Sequence, residues 1–154
     1  MGERYLKSIR LLAECMQGFE RLSGEHVREC GLTHAQFDII ATLGNTAGMS
    51  YKELGEKTLI TKGTLTGVIE RLEQKGLVER QRNASDKRSF FVRLTAAGEA
   101  TFRDVFPRVV ARGSAIFADF TADDYAALEK TLSKLKTVIN GSSPATHDST
   151  KEKI

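Results

Sequence analysis

Between Ser50 and Leu94 the apolar period switches from helical to strand-like, and this switch constrains the fold more tightly than any other feature of the chain. Ser50, followed three residues later by Glu53, makes a capping box that opens a short helix burying Leu54. Thr61 caps the next helix, which carries Leu65, Val68, Ile69 and Leu72 on one face and ends at Gly76. Only Leu59 and Ile60 separate the two, the spacing of a helix-turn-helix. Directly afterwards Leu77-Val78 and Phe90-Phe91-Val92-Arg93-Leu94 read as strands, with turn chemistry in Asn83-Ala84-Ser85-Asp86 between them. A hairpin placed there gives the helix pair a wing.

The flanks are helical. Over residues 4–29, Leu6, Ile9, Leu12, Cys15, Met16, Phe19 and Leu22 recur at three- and four-residue steps. Thr33-x-x-Gln36 boxes the start of a second helix, with Phe37, Ile40, Ala41 and Leu43 inward and Gly44 ending it. Thr95 caps a long helix with Phe102, Val105, Phe106, Val109 and Val110; Pro107 inside it predicts a kink. Thr121 caps a last helix with Tyr125, Leu128, Leu132, Leu135 and Ile139 at helical spacing. The expected fold is therefore mostly α with a small two- or three-stranded β wing. Residues 31–94 read as one winged helix-turn-helix unit, the candidate DNA-binding domain if the features below bear that reading. That unit is too small to cover the flanking stripes, so residues 1–30 and 95–140 read as a helical dimerisation region. Residues 141–154, polar and aperiodic, read as a flexible tail.

With 154 residues, 40% of them hydrophobic, the chain is long and apolar enough to bury a core. No run approaches the roughly 18 apolar residues of a membrane span, and the start MGERYLKSIR lacks an apolar leader region, so the expected location is cytoplasmic with no membrane partner. The net charge of +3 is uneven: residues 50–94 hold 10 basic and 6 acidic side chains, whereas residues 1–49 hold 5 and 6, and residues 95–154 hold 8 and 8. Over residues 80–93, Arg80, Arg82, Lys87, Arg88 and Arg93 meet a single acid, Asp86. Such a local basic cluster is the footprint of a phosphate backbone, unless it is merely a solvated loop.

Catalytic signatures are missing: there is no GxxxxGK, GxGxxG, HExxH or GxSxG, and no nucleophile–base spacing among the three histidines. No catalytic residue and no cofactor is assigned, and the chain is not expected to be an enzyme. His26-x3-Cys30-x3-His34 has metal-like spacing, but Gly31 interrupts the helix that would align it and a fourth ligand is lacking, so no metal is assigned. Cys15 and Cys30 lack CxxC spacing; Cys15, on the first helix's apolar stripe, reads more as a core thiol than as a redox sensor.

Three local patterns resemble the MarR family of bacterial transcription regulators. Gly31-Leu32-Thr33-His34-Ala35-Gln36-Phe37 is similar to the opening of that family's second helix. Thr61-Lys62-Gly63-Thr64-Leu65-Thr66, followed by Arg71-Leu72-Glu73-Gln74-Lys75-Gly76-Leu77-Val78, is similar to its recognition helix and first wing strand. Asp86-Lys87-Arg88-Ser89 with Leu94-Thr95-Ala96-Ala97-Gly98 is similar to its wing tip and fifth helix. The resemblance spans about residues 5–140 and implies a homodimer that binds double-stranded DNA at a pseudo-palindromic operator. The fourth helix would enter the major groove and the wing the minor groove, and a small aromatic or amphipathic effector would release DNA, as in a ligand-responsive repressor.

Under that expectation the DNA-binding set is Thr61, Lys62, Gly63, Thr64 and Thr66 on the recognition helix, with Arg80, Arg82, Asp86, Lys87 and Arg88 in the wing. Small or hydrogen-bonding residues on the first turn let the helix approach base edges. Arg88 suits a narrow minor groove, and Asp86 would hold the tip by pairing with Arg82 or Arg88. Arg80, Arg82 and Lys87 are phosphate candidates. An effector site between the dimer helices and the winged lobe would use Phe19, His34 and Phe37. The hydroperoxide-sensing branch of the family pairs a first-helix cysteine with tyrosines; here His34 stands where such a tyrosine is expected, which demotes Cys15 as a redox site. A winged helix that binds only protein, and a thiol-based regulator, are the alternative readings.

Overall fold

The computed structural model describes residues 2–82 and 90–142. The chain divides into two compact units, Met1–Ala115 and Ile116–Ile154. In the first, α1 (Arg4–Glu29) leads into α2 (His34–Leu43), β1 (Met49–Ser50), α3 (Tyr51–Thr58), α4 (Lys62–Gln74), β2 (Val78–Arg82), β3 (Phe90–Leu94) and most of α5 (Ala96–Ile116). The second contains α6 (Ala122–Gly141). This is a mostly helical chain with a small antiparallel sheet, as the periodicity implies.

The sheet has three strands in the order β1-β3-β2. In the hairpin Val78 faces Leu94, Glu79 faces Arg93 and Arg82 faces Phe90, while Met49 of β1 pairs with Val92. The sequence marks the hairpin but gives no signal for β1, whose two residues are too few to show a period of two. It also underestimates β2, which runs on to Arg82 because each added residue finds a partner on β3.

Local signals set the helix ends. Thr33 Oγ1 accepts from the Gln36 amide at 3.2 Å and Gln36 Oε1 from the Thr33 amide at 3.1 Å, a complete capping box. Thr121 and Asp124 form another. Ser50 accepts from the Glu53 amide at 3.2 Å, but the Glu53 carboxylate takes the Ser50 hydroxyl instead of the backbone, so the expected box is half made. Thr95 accepts from the Gly98 amide at 3.1 Å while donating to the Gly76 carbonyl at 2.6 Å, which fixes the start of α5 against the end of α4. Pro107 lies inside α5, which continues to Ile116 beyond it.

The core of the first unit joins every element of the winged fold: Val27 from α1, Ile39, Ile40 and Leu43 from α2, Leu54 from α3, Leu65, Ile69 and Leu72 from α4, Val78 and Val92 from the sheet, and Phe102 and Val105 from α5. Each such side chain stabilises the fold by about 1.5–3 kcal/mol relative to exposure. The rest of α1 is outside this core: Leu6, Ile9, Met16, Phe19 and Leu22 are exposed along one face. Cys15, expected to be buried on that stripe, is exposed for the same reason. In the second unit α6 buries no residue, and Tyr125, Leu128, Leu132, Val138 and Ile139 are exposed. Phe117, Phe120 and Tyr125 pack ring against ring at the turn into it.

Candidate nucleic-acid interface

Leu65, Ile69 and Leu72, spaced by four and three, turn one face of α4 into the core. The opposite face must then be open. Lys62, Gly63, Thr64, Thr66, Gly67 and Arg71 are all exposed, and a Cβ built on Gly63 or Gly67 would meet nothing within 4 Å. The first turn is thus a low, polar surface. Thr61 occupies the N-cap position but does not cap: its hydroxyl donates to Thr64 Oγ1 at 3.1 Å. That departs from the sequence expectation: no side chain caps the first turn, where the Thr61 carbonyl takes the Thr64 amide at 3.0 Å, and the Lys62 and Gly63 amides before it are of the kind that suits an anion. Thr64, Gly67 and Arg71 form one column at spacings of three and four, so Arg71 shares the open face. In the sequence its charge gives no signal, because it sits between core positions and outside the 80–93 cluster.

The wing charges are less available than their number suggests. Arg80 Nε donates to Glu73 Oε2 at 3.1 Å and Nη2 to Glu73 Oε1 at 2.9 Å. Its Nη1 reaches Tyr51 Oη at 3.5 Å, and the guanidinium lies 5.1 Å from the centre of the Phe90 ring. Glu73 is held below the ordinary carboxylate range, mainly by the bonds from Arg80, and Arg80 is held still further into its charged range. This residue, a phosphate candidate by charge, joins β2 to α4 and α3. Arg93 is likewise paired with its cross-strand neighbour Glu79. Arg82 is exposed, with its guanidinium 5.6 Å from the Phe90 ring centre. Asp86, Lys87 and Arg88 lie outside the described residues. Beside the first turn of α4, a cleft of about 530 Å³ opens between α3, α4 and β3, with Lys52, Lys62, Tyr51 and Phe90 in its walls.

A second junction links α4 to the helices before it. Lys75 Nζ donates to the Gly31 carbonyl at 3.0 Å and to Gln36 Oε1 at 2.9 Å, tying the end of α4 to the turn between α1 and α2. Sequence reasoning missed this pair because its members are 39 residues apart.

The candidate effector residues do not share one environment. Phe37 is a core residue that stacks on Phe106 with centroids 6.5 Å apart, which leaves little of its ring to face a ligand. Phe19 is exposed on α1 and His34 half-buried at the start of α2. Asp38, one turn beyond His34, has its carboxyl pushed up by burial, an effect His34 partly offsets. His26 is buried, and its Nδ1 lies 3.5 Å from Glu29 Oε2. Among the described residues no group of three or more His, Cys, Asp or Glu is placed to hold a metal ion. None of the described helices is long and apolar enough to cross a membrane.

A family model described as the MarR family matches residues 32–90. The multiple antibiotic resistance protein MarR of Escherichia coli (strain K12) is 32% identical over 128 residues, which cover 82% of this chain and 88% of that one. The fold is similar to a crystal structure of a mutant E. coli MarR complexed with operator DNA, at a TM-score of 0.76 and 30% identity, over 88% of this chain and 97% of that one. It is also similar to the crystal structure of NadR in complex with 4-hydroxyphenylacetate, at a TM-score of 0.66 and 27% identity, over 80% and 88% of the two chains.

Proposed function

The chain belongs to the MarR family of transcriptional regulators, and on that premise we propose that it is a ligand-responsive repressor that binds a pseudo-palindromic operator as a homodimer. The observation that carries this reading is the two-faced α4: Leu65, Ile69 and Leu72 fully buried, with Gly63, Thr64, Gly67 and Arg71 open on the other side, and Lys62 and Thr66 exposed beside them. A helix fixed in a core by one face and offering small polar groups and a cation on the other is suited to reading base edges in the major groove. The wing follows within four residues of the end of α4, which supports its insertion in the neighbouring minor groove through Arg88, with Arg82 and Lys87 on phosphates. Operator DNA bound to the similar E. coli structure supports the same partner here.

The dimer is carried by α1, α5 and α6, corresponding to residues 1–30 and 95–140, with residues 31–94 as the DNA-binding domain. Apolar faces of this length on a single chain are supported by a second copy that covers them. The effector is a small aromatic acid or amphipath, a reading supported by the 4-hydroxyphenylacetate held by the similar NadR. Phe19 and His34 are the residues assigned to it here, while Phe37 belongs to the core and stacks on Phe106.

Titration against operator-like and mixed-sequence duplexes at several salt concentrations tests the reading. The expected result is DNA affinity falling steeply with salt, with a specific excess on one duplex. Sedimentation should give a dimer that Ile9→Asp or Leu132→Asp breaks. A chain without DNA affinity at low salt would be a protein-binding winged helix instead.

A further inference from the structure

Among the described residues Leu59 is the most exposed large apolar side chain, at 87%, and its backbone is left-handed, with φ 60° and ψ 11°. Asn45 is the only other non-glycine described residue with positive φ, and asparagine tolerates that region where leucine does not. The conformation is demanded by the turn. Leu59 N–H donates to the Gly55 carbonyl at 3.1 Å to close α3, and the Ile60 amide donates to Thr58 Oγ1 at 3.3 Å as the chain swings toward α4. Glycine or asparagine would meet this geometry with less strain. Strain and apolar exposure therefore fall on one residue. Its neighbour Ile60 packs against the core, so the turn presents Leu59 alone to the outside, three positions before Lys62.

We propose that Leu59 is a DNA-contacting residue that packs against nonpolar surface of the target duplex, a thymine methyl group or a deoxyribose, at the edge of the major groove, and so contributes to site selection. The inference rests on the reading that α4 enters that groove. DNA is the fitting occupant because the residue is continuous with the open face of Lys62, Gly63 and Thr64. The two lysines of the adjacent cleft, Lys52 and Lys62, supply the charge that phosphates on either side require. Apolar contact with thymine methyl groups is an established form of base readout.

The test uses the full chain and a duplex enriched by the wild-type protein from a randomised pool. Leu59→Ala and Leu59→Asn should each weaken binding by about ten-fold, the effect of uncovering a buried apolar side chain, while the slope of log K against log salt stays as in the wild type because no charge is lost. Leu59→Asn and Leu59→Gly should melt at or above the wild-type temperature, which separates lost contact from lost fold. Thymine-to-uracil scanning of the duplex then distinguishes the two surfaces. A uracil that weakens the wild type but not Leu59→Ala assigns a methyl contact; a Leu59→Ala loss with no such position assigns a deoxyribose, and either supports the proposal. If wild type binds the duplex and all three variants bind it within about two-fold, below the scale of a good contact, the Leu59 assignment is overturned and the reading of α4 stands. If wild type enriches no duplex, both fall.

Discussion

Arg80 closes a two-pronged fork on Glu73, with bonds of 3.1 and 2.9 Å that join the first wing strand to the last turns of α4. Arg80 is among the first basic residues that a charge count would assign to phosphate. Its partner has already neutralised it, and the planar pair fixes the angle between β2 and α4. The tilted rings of Phe90 and Tyr51 lie beside it, their centroids 5.7 Å apart, so the same side chain also aligns β3 and α3. It thereby holds the wing strand in register with α4.

Replacing Arg80 should therefore act unlike replacing a phosphate contact. Arg80→Ala is expected to lower stability by about 1 kcal/mol, the scale of a partly exposed pair, and to weaken DNA binding while leaving the salt slope unchanged. The pH dependence follows from Glu73, whose carboxyl is held below its ordinary value of 4.5. A carboxylate with a depressed folded-state pKa contributes stability that is complete above the unfolded value and is lost as pH falls through the folded one. Wild type should exceed Glu73→Gln in urea midpoint at pH 7, and the gap should close on acidification below pH 4.5. A gap that persists in acid would assign the role to packing.

The Lys75 junction gives a second prediction. Gln36 is buried, and its Oε1 accepts from both the Thr33 amide and Lys75 Nζ. Gln36→Leu strands both donors and should cost about 1–3 kcal/mol, whereas Lys75→Met leaves the box intact and should cost about 1 kcal/mol. A double-mutant cycle on urea midpoints should return a coupling well above zero. Additive costs would mean that the two residues act separately.

Much of this was legible in the residues. Thr33, Gln36, Thr95 and Thr121 announce helix starts because a cap is a local event, complete within four residues. The four- and three-residue spacing of Leu65, Ile69 and Leu72 gives the buried face of α4, and hence the open one. What escaped the sequence is non-local. The β1 strand exists only because Val92 is there to pair with Met49, and the commitment of Arg80 depends on Glu73 lying opposite it after folding. Thr61 carries the right side chain for a cap, yet its hydroxyl bonds Thr64 instead. Leu59 sits at a position where the chain needs a left-handed residue, and nothing in its chemistry signals that.

Two glycines should respond in opposite directions. A Cβ on Gly98 would lie 2.0 Å from the Leu77 carbonyl oxygen, a backbone atom that cannot step aside. Gly98→Ala should therefore destabilise by about 1–3 kcal/mol as α5 is forced off the wing. Gly67, inside α4, has open space where a methyl group would go. Gly67→Ala should stabilise by about 1 kcal/mol through helix propensity, and at the same time weaken operator binding by thickening the face that approaches DNA. Thermal midpoints and duplex titrations on the same samples check both. A Gly67→Ala protein that binds as wild type would remove that position from the interface.

Arg88 and the threonines of α4 should fail in different ways. Arg88→Ala removes a charge from each wing of the proposed dimer. Binding to every duplex should weaken, with a shallower salt slope and the greatest loss where the flanks are A·T-rich, since a narrow minor groove concentrates negative potential. Thr64→Ala and Thr66→Ala remove hydrogen-bonding groups without charge, and a lost base contact costs about 1–3 kcal/mol of discrimination. These variants should narrow the gap between operator and scrambled DNA and keep the wild-type slope. Arg71→Ala should narrow that gap and also make the slope shallower, because a cation one turn beyond Gly67 in the column of Thr64 is placed for a phosphate or a guanine edge. Isothermal titrations at three salt concentrations separate the cases. If Arg88→Ala keeps full affinity and slope, the wing stays off the DNA; if both threonine variants keep full discrimination, α4 is not the helix that reads it.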